Sequence, residues 1–130
     1  MMLEIDDLSP TPVYEQIVLQ IRSAIAGGTL AMAAPLPPIR QLAIDLEVNP
    51  ATVAKAYQML ERDGIIRTAG RRGTFVHSEA GPNLDDSLRK DATQEAGNLA
   101  RKWLGRGLAH RDLKAIFSRI LNDTLKERTP

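Results

Sequence analysis

Residues 35–78 read PLPPIRQLAIDLEVNPATVAKAYQMLERDGIIRTAGRRGTFVHS, and this stretch decides the fold. Ile39, Leu42, Ala43 and Leu46 recur at the spacing of one helical face, which predicts a helix of about three turns beginning near Pro37 or Pro38. Val48 falls in the following turn and is expected to point inward. Asn49-Pro50 is a start signal: a capping side chain, then a proline where no backbone N–H is needed. Val53, Ala56, Tyr57 and Leu60 form the inner face of the next helix, which ends at Asp63-Gly64. Ile65 to Thr68 reads as a strand, Gly70-Arg71-Arg72-Gly73 as a turn and Thr74 to His77 as the returning strand.

Two short helices, a tight turn and a hairpin with a basic tip are the order of a winged helix-turn-helix. With Val53, Ala56, Tyr57 and Leu60 facing inward, Ala51, Thr52 and Lys55 occupy the opposite surface of the second of these helices. A recognition helix presents its N-terminal residues to base edges in the major groove. The methyls of Ala51 and Thr52 suit a thymine methyl, Asn49 suits a base edge or a phosphate, and Lys55 suits a phosphate or a guanine. Asn49 and Thr52 also have the simpler reading of cap and first-turn residues. Arg40 lies off the apolar face of the preceding helix, placed for the DNA backbone. Arg71 and Arg72 between two glycines form a tip that fits a minor groove or its phosphates. The glycine-rich tip is not a nucleotide-phosphate loop, since neither a Lys-Ser/Thr pair nor a following helix accompanies it.

Upstream, Thr11-Pro12 predicts a helix start with the Thr11 hydroxyl as cap, and Tyr14, Ile17, Val18, Ile21 and Ile25 share one face until Gly27-Gly28. The bridge through Ala33-Ala34-Pro35 is short and extended. Downstream, Ser78 to Asn83 has the composition of a linker. Leu84, Leu88, Ala92, Ala96, Leu99 and Trp103 then recur at helical intervals up to Gly105-Arg106-Gly107. A last helix carries Leu113, Ile116, Phe117, Ile120, Leu121 and Leu125 on one stripe. Two helices make a poor core, so these faces are expected to meet the same hairpin of a second subunit. Leu88, Leu99, Trp103, Leu113, Ile116, Phe117, Ile120 and Leu121 are the candidate dimerisation residues.

Composition narrows the alternatives. The 130 residues are 43% hydrophobic but only 4% aromatic, which implies a core of Leu, Ile, Val and Ala. There is no cysteine, which excludes disulfides and Cys-ligated zinc and suits a cytoplasmic protein. The N-terminus lacks the basic start and apolar run of a signal peptide, and no stretch is apolar enough to span a bilayer. Net charge is +1. Residues 37–78 carry six cations (Arg40, Lys55, Arg62, Arg67, Arg71, Arg72) against four acids, so placement carries the electrostatic argument. His77 and His110 lie in different regions, and no carboxylate pattern completes a triad or a metal site. No enzyme activity, metal or cofactor is expected.

The ordered motifs Leu36-Pro37, Ile39 to Ala43, Val48 to Tyr57, Leu60 to Ile66 and Gly70 to Val76 resemble the DNA-binding domain of the GntR family of bacterial transcription regulators. Pro12 to Ile17 matches the same family, so the resemblance spans about residues 5–78. The Asn49 to Tyr57 run and the short tail resemble the YtrA subfamily, whose members carry about two C-terminal helices for dimerisation. The resemblance implies DNA contacts by Arg40, Asn49, Ala51, Thr52, Lys55 and the wing residues Gly70, Arg71, Arg72, Gly73 and Thr74. Four departures stand out. Pro38 replaces a usual serine, Glu47 and Ala33 replace common glycines, and Asn49-Pro50 replaces a frequent Ser-Arg, which removes an arginine able to read guanine. If residue 47 needs positive φ, glutamate there costs on the order of 1 kcal/mol.

The expected architecture is mainly α with a small β hairpin (α+β). A winged helix-turn-helix domain covers residues 1–78, and a linker with a two-helix dimerisation region covers 79–130. The expected function is a sequence-specific transcription regulator, a repressor that binds double-stranded DNA as a homodimer on an inverted repeat. The competing reading is a winged-helix protein-interaction module that does not read DNA sequence. No residue set identifies a small-molecule effector; the dimer interface and the space between tail and winged domain are the two places that would suit one.

Overall fold

The computed structural model describes residues 2–127. In chain order the elements are α1 (Val13–Ala26), β1 (Pro35–Leu36), α2 (Ile39–Leu46), α3 (Pro50–Arg62), β2 (Ile66–Thr68), β3 (Thr74–Val76), α4 (Ala80–Gly105) and α5 (His110–Glu127), with a single 3-10 turn at Gly70–Arg72 between β2 and β3. The chain divides into two compact units between Leu88 and Arg89. Among the described residues no helix is long and apolar enough to cross a membrane.

In the first unit, α1 packs on α3 and α3 on α2, around a core of Ile17, Ile21, Val53, Leu60, Ile65, Ile66 and Val76. The expected hairpin gains a third strand. β1 pairs antiparallel with β3, so the sheet order is β1-β3-β2. Two residues are too few for alternation to show in the sequence. The pairing is made instead by Ala34, whose carbonyl accepts from Val76 N at 2.8 Å, and by Ala33 N, which donates to Val76 O at 3.1 Å.

The start of α1 differs from expectation. Pro12 is the cap residue, with extended φ and ψ of −55° and 147°, and no side chain caps the helix. The Thr11 hydroxyl is one residue too early. Gln16 reaches back instead, its Nε2 donating to Thr11 O at 2.9 Å. Gln16 and Gln20, one turn apart on α1, also hold the N-terminal segment. Glu4 N donates to Gln20 Oε1 at 2.9 Å and Gln20 Nε2 to Glu4 O at 2.7 Å, while Asp6 N donates to Gln16 Oε1 at 2.9 Å and Gln16 Nε2 to Asp6 O at 3.0 Å. Each side-chain amide thus supplies the donor and acceptor that a neighbouring strand would supply, and Leu3 and Ile5 pack against the core.

The turn between α2 and α3 closes with paired backbone bonds, Val48 N to Ala43 O at 3.0 Å and Glu47 N to Ile44 O at 3.2 Å. This closure needs a left-handed residue just past the helix end, and Glu47 sits there at φ 55°, ψ 45°. Among the described residues Ala33 is the other non-glycine at positive φ, at 65°. Both family departures therefore carry a local backbone cost. We expect Glu47→Gly to stabilise the protein by about 0.5–1 kcal/mol, the relief of left-handed strain less the added freedom of the unfolded chain. A thermal melt that rises by about 3 °C checks it, and an unchanged or lowered midpoint refutes the strain.

Residues 78–83 are not a linker. Helix α4 begins at Ala80, and Ala80 and Leu84 are buried in the core of the winged unit. Pro82 lies in the first turn, where its missing N–H would have had no intrahelical acceptor anyway, and the first helical bond runs from Asn83 N to Glu79 O at 3.0 Å. Asn83 Nδ2 donates to Gly64 O at 2.8 Å. Gly64 has φ +71°, which strains any L side chain, and a Cβ there would lie 2.5 Å from that nitrogen and displace the Asn83 amide. Arg22 adds an ion pair to Asp63 at 3.4 Å and a hydrogen bond to Ser87 Oγ, tying α1, the end of α3 and α4 together.

In the second unit the later part of α4 turns into α5 through Leu108 N to Trp103 O and Gly107 N to Leu104 O, both at 3.1 Å. Leu108 folds back beside Trp103, and both line an apolar groove of about 410 Å³ with Leu99, Leu113, Ile116, Phe117 and Ile120. Leu113 is buried within this hairpin, whereas Leu99, Trp103, Ile116, Ile120, Leu121 and Leu125 are exposed.

Candidate nucleic-acid interface

The N-terminus of α3 is built by its cap. Asn49 is extended, and its Oδ1 accepts from Ala51 N at 2.8 Å. Pro50 occupies the first helical position, and Thr52 N donates to Asn49 O at 2.9 Å. The cap uses the Asn49 oxygen and leaves the amide nitrogen, with two donors, on an exposed residue. Asn49 and Ala51 are exposed and Thr52 is half-buried, so small groups stand at this helix end and leave it open to close approach.

Along the rest of α3, Val53, Ala56, Tyr57 and Leu60 are buried. Ala51, Lys55, Gln58 and Arg62 are exposed at spacings of four, three and four residues, which makes one continuous ridge. Gln58 was not among the expected site residues, although its seven-residue step from Ala51 was legible in the sequence. Tyr57 fixes the helix from the inner side. Its hydroxyl donates to Pro37 O at 2.6 Å, and burial pushes its pKa up to about 12. Pro37, just ahead of the Pro38 cap of α2, is thereby bonded directly to α3.

Lys55 does not stay with the Asn49–Thr52 group. Its Nζ lies 3.9 Å over the centre of the Tyr14 ring, on the first turn of α1. Arg40 is exposed at the second position of α2, a helix that starts without a side-chain cap because Pro38 has no hydroxyl to offer. Arg71 and Arg72 are both exposed at the wing tip, between Gly70 at φ +57° and Gly73 at φ +108°. The tip is a 3-10 turn closed by Ala69 N to Gly73 O at 2.8 Å and Arg72 N to Ala69 O at 3.1 Å, and L side chains at 70 or 73 would be strained. Thr74 follows, half-buried and paired with both Leu36 and Thr68. The wing therefore presents two cations on a base anchored to two strands, and Arg67 extends the basic surface as the exposed partner of Phe75 across the sheet.

The model for the bacterial regulatory proteins of the gntR family matches residues 13–76, the whole of this helix, turn and wing arrangement. The regulator Rv1152 of Mycobacterium tuberculosis is 32% identical over 93% of this chain and 95% of its own length. The chain belongs to the GntR family. Similarity to the transcriptional repressor YtrA of Bacillus subtilis reaches 43% identity over 64% of this chain, and the match spans 64% of that protein. Among solved structures, the DNA-binding domain of AraR in complex with operator ORX1 superposes with a TM-score of 0.53, at 27% identity, covering 58% of this chain and 98% of that domain. The family is one of DNA-binding transcription regulators, and this chain has the winged domain that does the binding.

Proposed function

We propose that this regulator is a homodimeric repressor acting in the cytoplasm. Its winged unit reads an inverted-repeat operator, and the hairpin made by the later part of α4 with α5 holds the two protomers together. The observation that carries the reading is that one winged unit exposes both the small-residue end of α3 and a wing tip with Arg71 and Arg72. Asn49, Ala51 and Thr52 meet bases or the adjoining backbone, while Arg40, Arg71 and Arg72 meet phosphates, with the wing against or within the minor groove. Repression is supported by the similarity to YtrA of Bacillus subtilis, a transcriptional repressor, and its mechanism is occlusion of a promoter.

Dimerisation is supported by the apolar groove between α4 and α5, in whose lining Leu99, Trp103, Ile116 and Ile120 are left exposed by a single hairpin. Trp103 sits at its rim with Lys102 and Arg106 over its ring at 5.4 and 4.9 Å. Cations at the rim of an apolar patch keep the free protomer soluble and are tolerated at the edge of an interface. A twofold pair would set recognition helices about 34 Å apart and half-sites about one helical turn apart.

Selection of bound duplexes from a random pool tests both parts together. An enriched inverted repeat with half-sites about 10 base pairs apart is the expected result. An enriched single half-site removes the dimer, and a pool with no enriched sequence removes sequence reading.

A further inference from the structure

Resting on the DNA-binding reading above, we infer that Tyr14 is a positioning residue which holds Lys55 as a phosphate clamp at the seam of α1 and α3, so that Lys55 does not read bases. The sequence left Lys55 open to either role. The structure separates them by where the ammonium lies. Lys55 rises from the same ridge as Ala51 and Gln58, but its Nζ is drawn 3.9 Å from the Tyr14 ring centre. The charge is therefore carried off the side of the recognition helix, toward the first turn of α1. A helix lying in the major groove is flanked by the two phosphate backbones, and groups carried off its side meet those strands, while groups on its leading ridge meet base edges.

The nature of the contact matters as much as its place. A carboxylate partner would neutralise the lysine, and among the described residues none pairs with it. An aromatic face attracts the ammonium while leaving its charge and its three N–H donors able to serve an anion. Tyr14 is half-buried on α1, so the ring is a fixed seat for an otherwise flexible four-carbon side chain. Pre-ordering lowers the entropy lost when the phosphate arrives.

The test uses the full chain, the duplex recovered by selection and a scrambled duplex of equal length, each titrated against salt. Lys55→Met is expected to weaken binding to both duplexes by the same factor, about ten-fold. It should also make the logarithmic salt dependence shallower by about 0.9 per protomer. Tyr14→Leu is expected to weaken both by about two- to five-fold, the size of an exposed cation–π contact. Tyr14→Phe, which keeps the ring, should bind as the parent does, and Tyr14→Leu combined with Lys55→Met should bind no more weakly than Lys55→Met alone. A changed base preference in Lys55→Met, with scrambled-duplex binding intact, would make Lys55 a base reader and overturn the inference. So would a Phe variant as weak as the Leu variant, or additive losses in the double variant. Failure of the parent protein to bind either duplex would instead remove the functional reading on which the inference stands.

Discussion

Arg71→Ala with Arg72→Ala is expected to lower affinity for the selected and the scrambled duplex alike, by about a hundred-fold per protomer. Two charge-assisted contacts at about 1.4 kcal/mol each give that factor. The salt dependence should become shallower by about 1.8 per protomer, since each neutralised phosphate contributes about 0.9. Both arginines are exposed on a turn whose shape comes from Gly70, Gly73 and backbone hydrogen bonds, so the double variant keeps the winged fold. The loss is expected to be general because contacts to phosphate carry no base identity. Unchanged affinity in a gel-shift titration removes the wing from the interface. A loss confined to the selected sequence would mean that the tip reads groove shape or bases instead.

The second large effect is expected in the C-terminal hairpin. Ile116→Glu with Ile120→Glu should convert the protein to a monomer at micromolar concentration. Each isoleucine buried in a paired groove contributes about 1.5–3 kcal/mol, and each interface counts both protomers. Removing all four weakens assembly by at least about 6 kcal/mol, or more than four powers of ten. The two positions suit the experiment because they are 44% and 52% exposed in the protomer. Leu113, from the same sequence stripe, does not suit it. At 8% exposure it belongs to the hairpin's own seam, and a charge there would unfold the hairpin itself. Sedimentation velocity gives the answer. A variant that remains a tight dimer means that another surface pairs the protomers. A monomer that still binds a single half-site weakly would agree with two domains acting on one duplex.

The parts of this protein legible in sequence are those whose physics is local. Helix α3 was readable residue by residue because a cap, a proline at the first position and a 3.6-residue period all act within a few residues. The wing was readable for the same reason, with two glycines bracketing two cations between short β-branched and apolar runs. The cost of Glu47 could even be anticipated, since a helix that ends in a tight turn needs a left-handed residue whatever surrounds it.

The Gly-Pro-Asn run at residues 81–83 misled for an equally physical reason. Its composition suits a linker, yet a proline in a first helical turn costs no hydrogen bond, and Asn83 finds its partner in Gly64 nineteen residues away. Likewise β1 exists because Val76 of β3 bonds Ala33 and Ala34 just ahead of it, which two residues of strand could not announce.

Local chain chemistry thus determined, from the residues alone, the order of helices and wing, which face of α3 is outward and that the wing tip carries Arg71 and Arg72. Only tertiary packing decided that α4 starts inside the winged unit, that Leu113 turns inward while Ile116 and Ile120 do not, and that Lys55 leans on Tyr14. These outcomes depend on pairs far apart in the chain, and the energy that selects each one arises only when packing brings the partners together.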